Sequence, residues 1–492
     1  MTEQLVPLAI LFTSLAIAPF ILMLPERAVG LRTGINLTAA VVKLALVVWL
    51  TYGVINGQTF AAQLTVLPGL DFILRIDALS VLFLALSALL WLLTTIYAIG
   101  YLEAGQHRSR FFGFFSLCVA ATVGIAMSGN LFTFLIFFEV LTLATYPLVV
   151  HRGTADALRA GRIYLAYTLG GGIALTLGVV WLHTLTGAFV FTPQGVLGVL
   201  PETHAATLKV IFALLIAGVG VKAALVPFHT WLPVSMVAPA PVSALLHAVA
   251  VVKAGAFGIM RIVYDVYGVE ATQSLNLALP LAAAAAATIL YGSFRALTQD
   301  DLKSRLAFST VSQVSYIALG VALISPVAAT GGLVHLIHQG IMKITLFLCA
   351  GNFAEGYGIK KISQMNGLGK LMPVSMAFFT IAALGMIGVP PLAGFVSKWY
   401  LGAGALDAGQ PWVILILLGS SALNAAYFLP ILYRAWFLPV SDQTADPVRP
   451  IGWMLLAPPA ATAMLVICAG IFANAPFSPL SWTHFIVSLE YQ

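Results

Sequence analysis

The 492-residue sequence is 61% hydrophobic, only 8% charged, and carries 23 Lys and Arg against 17 Asp and Glu. Soluble globular domains carry about 25% charged residues, so a soluble fold is excluded. The net charge of +6 reflects where basic residues flank apolar segments and does not point to nucleic acid. The three cysteines, Cys118, Cys349 and Cys468, lie singly in apolar runs, with no metal spacing and no disulfide framework. Neither a cofactor nor a metal is expected, and no catalytic set of side chains is evident.

Residues 1–4 contain no Lys or Arg, so the basic start of a secretory signal is missing and the first apolar segment is expected to stay as a membrane helix. Apolar runs near 20 residues recur, the length that crosses a bilayer core of roughly 30 Å as a helix. The runs are continuous, which argues against the short alternating segments of a β-barrel. Fourteen spans are predicted near 5–24, 34–55, 78–100, 111–128, 130–150, 162–187, 206–232, 242–264, 276–296, 304–323, 327–352, 371–404, 411–436 and 453–473. The polar stretches 57–77 and 188–205 read as loops. Loops after odd-numbered spans hold fifteen Lys and Arg, those after even-numbered spans only Arg75, Lys209 and Arg261. The positive-inside rule puts the odd loops in the cytoplasm. Both termini then face the other side of the cell inner (plasma) membrane, which agrees with an even number of spans.

The remaining positive charges, Lys43, Lys222, Lys253, Lys343 and Lys398, fall within apolar spans, and Glu139 is the one acid near the middle of a span. Each costs roughly 2.5–3.5 kcal/mol on insertion scales. Residues this costly usually face a wet interior and mark an ion or proton path. Snorkelling or static pairing is the alternative, and it suits Lys43 best, because its span is otherwise plain. His335, Gln339 and Lys343 follow one another at intervals of four, which stacks them along one helix face. His338 adjoins Gln339, and His247 shares the eighth span with Lys253. A lone helix histidine is more often a satisfied core residue, but a ladder along a lysine-bearing span favours a relay. Neutral imidazole donates at one nitrogen and accepts at the other. Burial disfavours the charged form of a lysine and a nearby carboxylate favours it again. Glu139 is therefore expected to gate Lys222.

Two spans read as broken. The seventh runs Gly218-Val-Gly-Val-Lys222-Ala-Ala-Leu-Val-Pro227-Phe-His229-Thr-Trp231-Leu-Pro233, and the twelfth Gly388-Val-Pro390-Pro391-Leu-Ala-Gly394-Phe-Val-Ser397-Lys398-Trp399. Proline lacks the amide its turn needs, so Pro227 is expected to free the carbonyl of Ala223, and Pro390 that of Met386. Ordinary proline kinks are the plainer reading. However, broken helices at corresponding positions, each near a buried lysine and five spans apart, are the mark of inverted repeats. The predicted organisation is a three-helix segment at 1–110, a first repeat at 111–264, a second at 276–436 and a C-terminal helix at 437–492. The small residues of the eighth span, Ala238 to Gly255, predict close packing on the broken seventh, with Lys222 near Lys253.

The stretches Asp77-Ala-Leu-Ser80, Phe138-Glu139-Val-Leu-Thr142-Leu-Ala-Thr-Tyr146-Pro147, Leu225-Val-Pro227-Phe-His229-Thr-Trp231-Leu-Pro233, Pro241-Val-Ser-Ala-Leu-Leu-His247, Asp301-Leu-Lys303-Ser-Arg305, Lys343-Ile-Thr-Leu-Phe347 and Gly388-Val-Pro-Pro391-Leu-Ala-Gly394 resemble the antiporter-like subunits shared by Mrp-type cation/proton antiporters, membrane-bound hydrogenases and respiratory complex I. The resemblance covers roughly residues 70–400. It implies an all-α polytopic fold of about fourteen transmembrane helices, with two inverted five-helix repeats and a hydrated polar axis. It pairs Glu139 with Lys222 and puts Lys253 and Lys398 on the same path. Lysine at the last position looks more like the Mrp D-type subunit. Two positions depart from the pattern. Gln339 stands where relatives often carry histidine, and glutamine orients water but does not titrate near neutral pH. Val234 stands where many carry an acid. The large distal complex I subunit continues into a long lateral helix, for which this sequence leaves no room.

The resemblance implies a proton-translocating subunit of a multisubunit sodium/proton antiporter. Its partners would be small hydrophobic subunits and a second antiporter-like subunit. Three alternatives change the driver or the role: the pump arm of a hydrogenase or NADH dehydrogenase, the membrane partner of an inorganic-carbon uptake system, or a structural subunit with statically paired charges.

Overall fold

The computed structural model describes residues 2–102, 105–198, 200–440 and 447–491. The predicted C-terminal segment therefore includes residues 441–446 and 492, which lie outside that description. Twelve helices among the described residues are long and apolar enough to cross a membrane. In chain order they are α1 (Glu3–Met23), α2 (Val29–Ile55), α3 (Ala78–Tyr101), α4 (Arg108–Ala126), α5 (Leu131–Val149), α6 (Ala155–Thr186), α7 (Thr203–Lys222), α8 (Ala240–Ser274), α9 (Ala278–Leu297), α11 (Pro326–Tyr357), α13 (Trp412–Phe437) and α14 (Trp453–Ile471). The two other predicted spans are α10 (Leu302–Ala322) and a split helix, α12a (Pro373–Ile387) and α12b (Ala393–Asp407). α10 is less apolar for a reason: Ser309, Thr310, Ser312, Gln313 and Ser315 are all fully buried on it. Those polar side chains point into the protein and not into lipid.

The helices start where capping side chains stop the chain from fraying. Asp77 accepts the Ser80 amide at the start of α3, Asn130 that of Thr133 before α5, and Asp301 that of Ser304 before α10. Each satisfies one of the free amides of a first turn. Ser325 and Pro326 open α11, and Gly358 closes it at φ +67°, a conformation cheap only without a Cβ.

α8 and α11 form the centre. The most apolar window of α8 is 100% buried and that of α11 94%, against 33% for α2, α13 and α14. Large apolar side chains such as Val48, Leu177, Leu415 and Met464 point outward, while Lys222, Lys253, Lys343, His247, His335 and His338 are buried inside. This inside-out arrangement is what a lipid solvent selects.

Several sequence expectations need correction. Residues 57–77 are not only a loop: β1 (Phe60–Leu67) and β2 (Leu70–Ile76) make an antiparallel hairpin that turns at Gly69, φ +78°. It is tied down by Arg75 N to Met127 O at 2.7 Å and Ile73 N to Thr133 Oγ1 at 2.8 Å. Arg261 is not in a loop but fully buried in α8. α8 also carries a buried acid, Asp265, toward its C-terminal end. An additional short helix, α15 (Pro479–Glu490), follows α14. The seventh span breaks earlier than Pro227 suggested. α7 stops at Lys222, and the carbonyl that gains a new donor is that of Val221, from Trp231 Nε1 at 2.7 Å. The α12 break falls where proline predicted it.

Candidate functional site: a buried lysine axis

Lys222, Lys253 and Lys343 are fully buried, as are His247, His335, His338 and Gln339. Burial of so many polar groups is tolerable only if each finds a partner or water.

At the α7 break, Lys222 Nζ donates to the carbonyl of Phe138 and sits 3.4 Å from the centroid of its ring. Glu139, the next residue on α5, is within electrostatic reach of Lys222 but makes no hydrogen bond to it, and its Oε1 is buried without a partner. The carboxylate lies against Gly172 of α6, where any Cβ would overlap it. The lysine and the acid are thus adjacent without a direct hydrogen bond.

α8 packs on the broken end of α7 as its small residues predicted: a Cβ on Gly255 would overlap the backbone of Lys222 and Ala223. The two lysines do not meet. Lys253 turns instead to α11, donating to the Leu336 carbonyl at 2.8 Å and to Gln339 Oε1. Gln339 is therefore an acceptor holding Lys253. It lies one helical turn from His335 and one from Lys343. Two π-helical turns, Leu245–Val249 and Ile262–Tyr267, interrupt α8 on either side of Lys253. Such turns recur at functional sites, and no feature of the sequence announced them.

Lys343 donates to the Leu306 carbonyl at 3.2 Å and to Ser309 Oγ at 2.6 Å. The Ser309 and Tyr427 hydroxyls lie 2.8 Å apart, Tyr427 donates to Asn424 Oδ1, and Asn424 Nδ2 donates to the Met386 carbonyl at 3.2 Å. Lys398 Nζ donates to that same carbonyl at 3.0 Å, to Ile387 O at 2.8 Å and to Ser421 Oγ at 2.9 Å. The physical cause is local. Pro390 and Pro391 supply no amide to the turn that precedes them, so the carbonyls of Met386 and Ile387 are left free, and Lys398 fills the role of donor. A continuous hydrogen-bonded chain thus joins Lys343 to Lys398. Tyr427, Asn424 and Ser421 did not stand out in the sequence. Ser420, Asn424 and Tyr427 do fall at helical spacing on α13, which was the available signal.

His335 Nδ1 is 2.8 Å from Ser397 Oγ, and its ring is 5.2 Å from that of Tyr316, over which Lys398 sits at 5.6 Å. His247 stacks on Phe347 at 4.4 Å and lies within electrostatic reach of Lys343 and Lys303. Both nitrogens of His247 and of His338, both amide atoms of Gln313, Nε2 of His335 and Nε2 of Gln339 are buried with no hydrogen-bond partner in the protein. A buried row of unsatisfied donors and acceptors is the polar lining that ordered water requires.

At one end of α8 a cavity of about 270 Å³ is lined by Arg152, Asp301, Lys303 and Lys360, among others. Lys303 reaches from it to the Ala238 carbonyl at 2.6 Å and Ser243 Oγ at 3.3 Å. Lys43 is bonded to Ser14 Oγ at 2.5 Å and lies 4.7 Å from the Trp91 ring centroid, with no contact to the residues of the axis. Among the described residues no group of three His, Cys, Asp or Glu is arranged to hold a metal.

Fold and site together define a polytopic helical membrane protein with a buried, lysine-rich polar axis. Comparison with known proteins makes this specific. Residues 128–424 match the family described as NADH:quinone oxidoreductase/Mrp antiporter, TM, and residues 69–112 match NADH-Ubiquinone oxidoreductase (complex I), chain 5 N-terminus. The NADH-quinone oxidoreductase subunit N of Desulforudis audaxviator is 34% identical over 92% of this chain and 90% of its own. A probable K(+)/H(+) antiporter subunit of Rhizobium meliloti is 31% identical over 78% of this chain, which spans only 39% of that relative. A chain in the structure of the Mrp complex from Dietzia sp. superposes with a TM-score of 0.84 at 25% identity, over 100% of both chains. The chain belongs to the NADH:quinone oxidoreductase/Mrp antiporter membrane-subunit family.

Proposed function

We propose that this chain is the proton-translocating D-type subunit of a multisubunit sodium/proton antiporter. Protons pass along Glu139, Lys222, Lys253, the α11 ladder of His335, His338, Gln339 and Lys343, and Lys398, with His247 and Lys303 giving access from the cavity beside α8. The observation that carries the reading is the hydrogen-bonded chain from Lys343 through Ser309, Tyr427 and Asn424 to the carbonyl that also holds Lys398. The broken helices at Lys222 and at Lys398 support inverted repeats near 111–264 and 276–436. The charge bias supports odd loops in the cytoplasm and both termini outside, in the inner membrane. Partners are small hydrophobic subunits and a second antiporter-like subunit.

One observation favours a second driver for the same path: the near full-length match to a subunit N of NADH-quinone oxidoreductase. The chain would then be the pump arm of a redox complex. Purification of the tagged chain in mild detergent, with its companions identified by mass spectrometry, separates the two. Small hydrophobic proteins and one larger antiporter-like subunit, without flavin or iron, are expected. Iron–sulfur or flavin subunits would overturn the antiporter assignment.

A further inference from the structure

Away from the lysine axis, at the end of the molecule where the β-hairpin and α15 meet, a second set of charges is buried. Arg261 forks across both oxygens of Asp77, Nη1 to Oδ2 at 2.8 Å and Nη2 to Oδ1 at 2.9 Å. The same two nitrogens reach Asp265 Oδ2 at 3.0 Å and Ser80 Oγ at 2.9 Å. Both terminal nitrogens are therefore engaged, while Nε is buried without a partner. A third acid, Glu490 of α15, comes within electrostatic reach of Asp265, Asp77 and Arg261, yet it is only 8% exposed and its Oε2 has no partner. The Tyr264 hydroxyl on α8 is likewise buried and interacts with Tyr491.

The charges do not balance. Arg261 and Arg75, which also interacts with Asp265, face the three carboxyls of Asp77, Asp265 and Glu490. With every acid ionised, one negative charge is left over in a buried setting, which is costly. One proton restores neutrality. The two outer acids divide accordingly. Burial works against the charge of Asp77, but the Arg261 guanidinium and the Ser80 amide outweigh it and hold that carboxyl below its usual range. Burial, then the charges of Asp265 and Asp77, push the Glu490 carboxyl well above the usual range against the pull of Arg261. Among the described residues, Tyr264 and Tyr491 also interact with Glu490. α15 also packs on α3 and α11, which bring it no further charge beyond Asp77 among the described residues.

The position is functional in its geometry. Arg261 and Asp265 lie one turn apart on α8, and the eight residues from Lys253 to Arg261 rise about 12 Å. The Asp77 side chain is 34% exposed, so the set runs from the neighbourhood of the axis to water.

We propose that Asp77, Arg261, Asp265 and Glu490 form a proton-binding site in which the Glu490 carboxyl holds an exchangeable proton between Lys253 and this aqueous face. The proposal deepens the proton-translocation reading and rests on it. The test is infrared difference spectroscopy of the purified complex across pH, comparing wild type with Glu490→Gln and Asp265→Asn. The wild-type-minus-Glu490→Gln spectrum should contain a protonated-carboxyl band at about pH 7, although carboxylates ordinarily ionise near pH 4. In Asp265→Asn the charges balance without the proton, so the band should titrate away at a pH lower by about one unit or more. Absence of the band from the difference spectrum, or an unmoved midpoint in Asp265→Asn, overturns the site. Should Glu490→Gln not assemble, the Asp265→Asn midpoint decides alone. A wild-type complex that exchanges no protons for cations would remove the transport reading and leave the infrared result for the site intact.

Discussion

Replacing Tyr427 with phenylalanine cuts the chain between Lys343 and Lys398 at its middle with little change of shape. Tyr427 has one proton, which goes to Asn424 Oδ1, so the 2.8 Å contact with Ser309 is made with Ser309 donating. Loss of the hydroxyl leaves Asn424 Oδ1 and the Ser309 hydroxyl each short of a partner in a fully buried site. A lost buried hydrogen bond is worth about 1.5 kcal/mol, and each orphaned group costs roughly 1–3 kcal/mol. If half or more of that falls on the transfer step, exchange slows about tenfold, because 1.36 kcal/mol on a barrier is a factor of ten. The assay is cation-driven proton movement in proteoliposomes containing the assembled complex, followed with an internal pH dye. Asn424→Leu should act alike, and the double variant should be no slower than about the worse single one, since both break one chain. A normal rate in the assembled double variant would refute a relay through these residues.

Other perturbations follow from the same geometry. Glu139→Gln removes the acid beside Lys222 and should change the pH dependence of exchange; identical rates at every pH would exclude gating. Gln339→Glu sets a carboxylate against Lys253, and separating that buried ion pair should slow exchange by about tenfold or more in a complex that still assembles. Gly255→Ala forces a Cβ into the α7 backbone and should destabilise by about 1–3 kcal/mol, read as a lowered thermal midpoint. Glu26 accepts the Arg108 and Ser109 amides at 3.0 and 3.1 Å. Burial opposes its charge, but those amides and the nearby Arg32 and Arg108 win and lower it from 4.5. Its stabilisation is therefore present above pH 4.5 and lost as pH falls through the lowered value. The Tm gap between wild type and Glu26→Gln should close on that acidic side and persist near neutrality.

Sequence made the fold legible where a single residue forces an outcome. Lysine in an apolar run must find a polar interior, and all four axis lysines do. Pro390 has no amide, so the Met386 carbonyl must find another donor, and it finds Lys398 and Asn424. Legibility failed where structure depends on distant partners. Arg261 looked like a loop residue because its compensation comes from Asp77, far away in sequence, and from Asp265. Lys222 and Lys253 looked like neighbours because Gly255 does bring their helices together, yet Gln339 draws Lys253 the other way. The α7 break lies at Lys222 and not at the Ala223 carbonyl, because the Trp231 indole captures Val221. Hydroxyls and amides such as Tyr427 and Asn424 carry no charge to betray them, so their part in the axis emerges only when α10, α11 and α13 are assembled.

The most direct measurement is proton exchange driven by a sodium gradient in proteoliposomes of the purified complex, comparing wild type with Lys222→Ala and Lys398→Ala at matched assembly. On the proposed path each lysine is a station, so both variants should fall to the rate of empty vesicles. Exchange at the wild-type rate in either assembled variant would contradict proton passage along this axis.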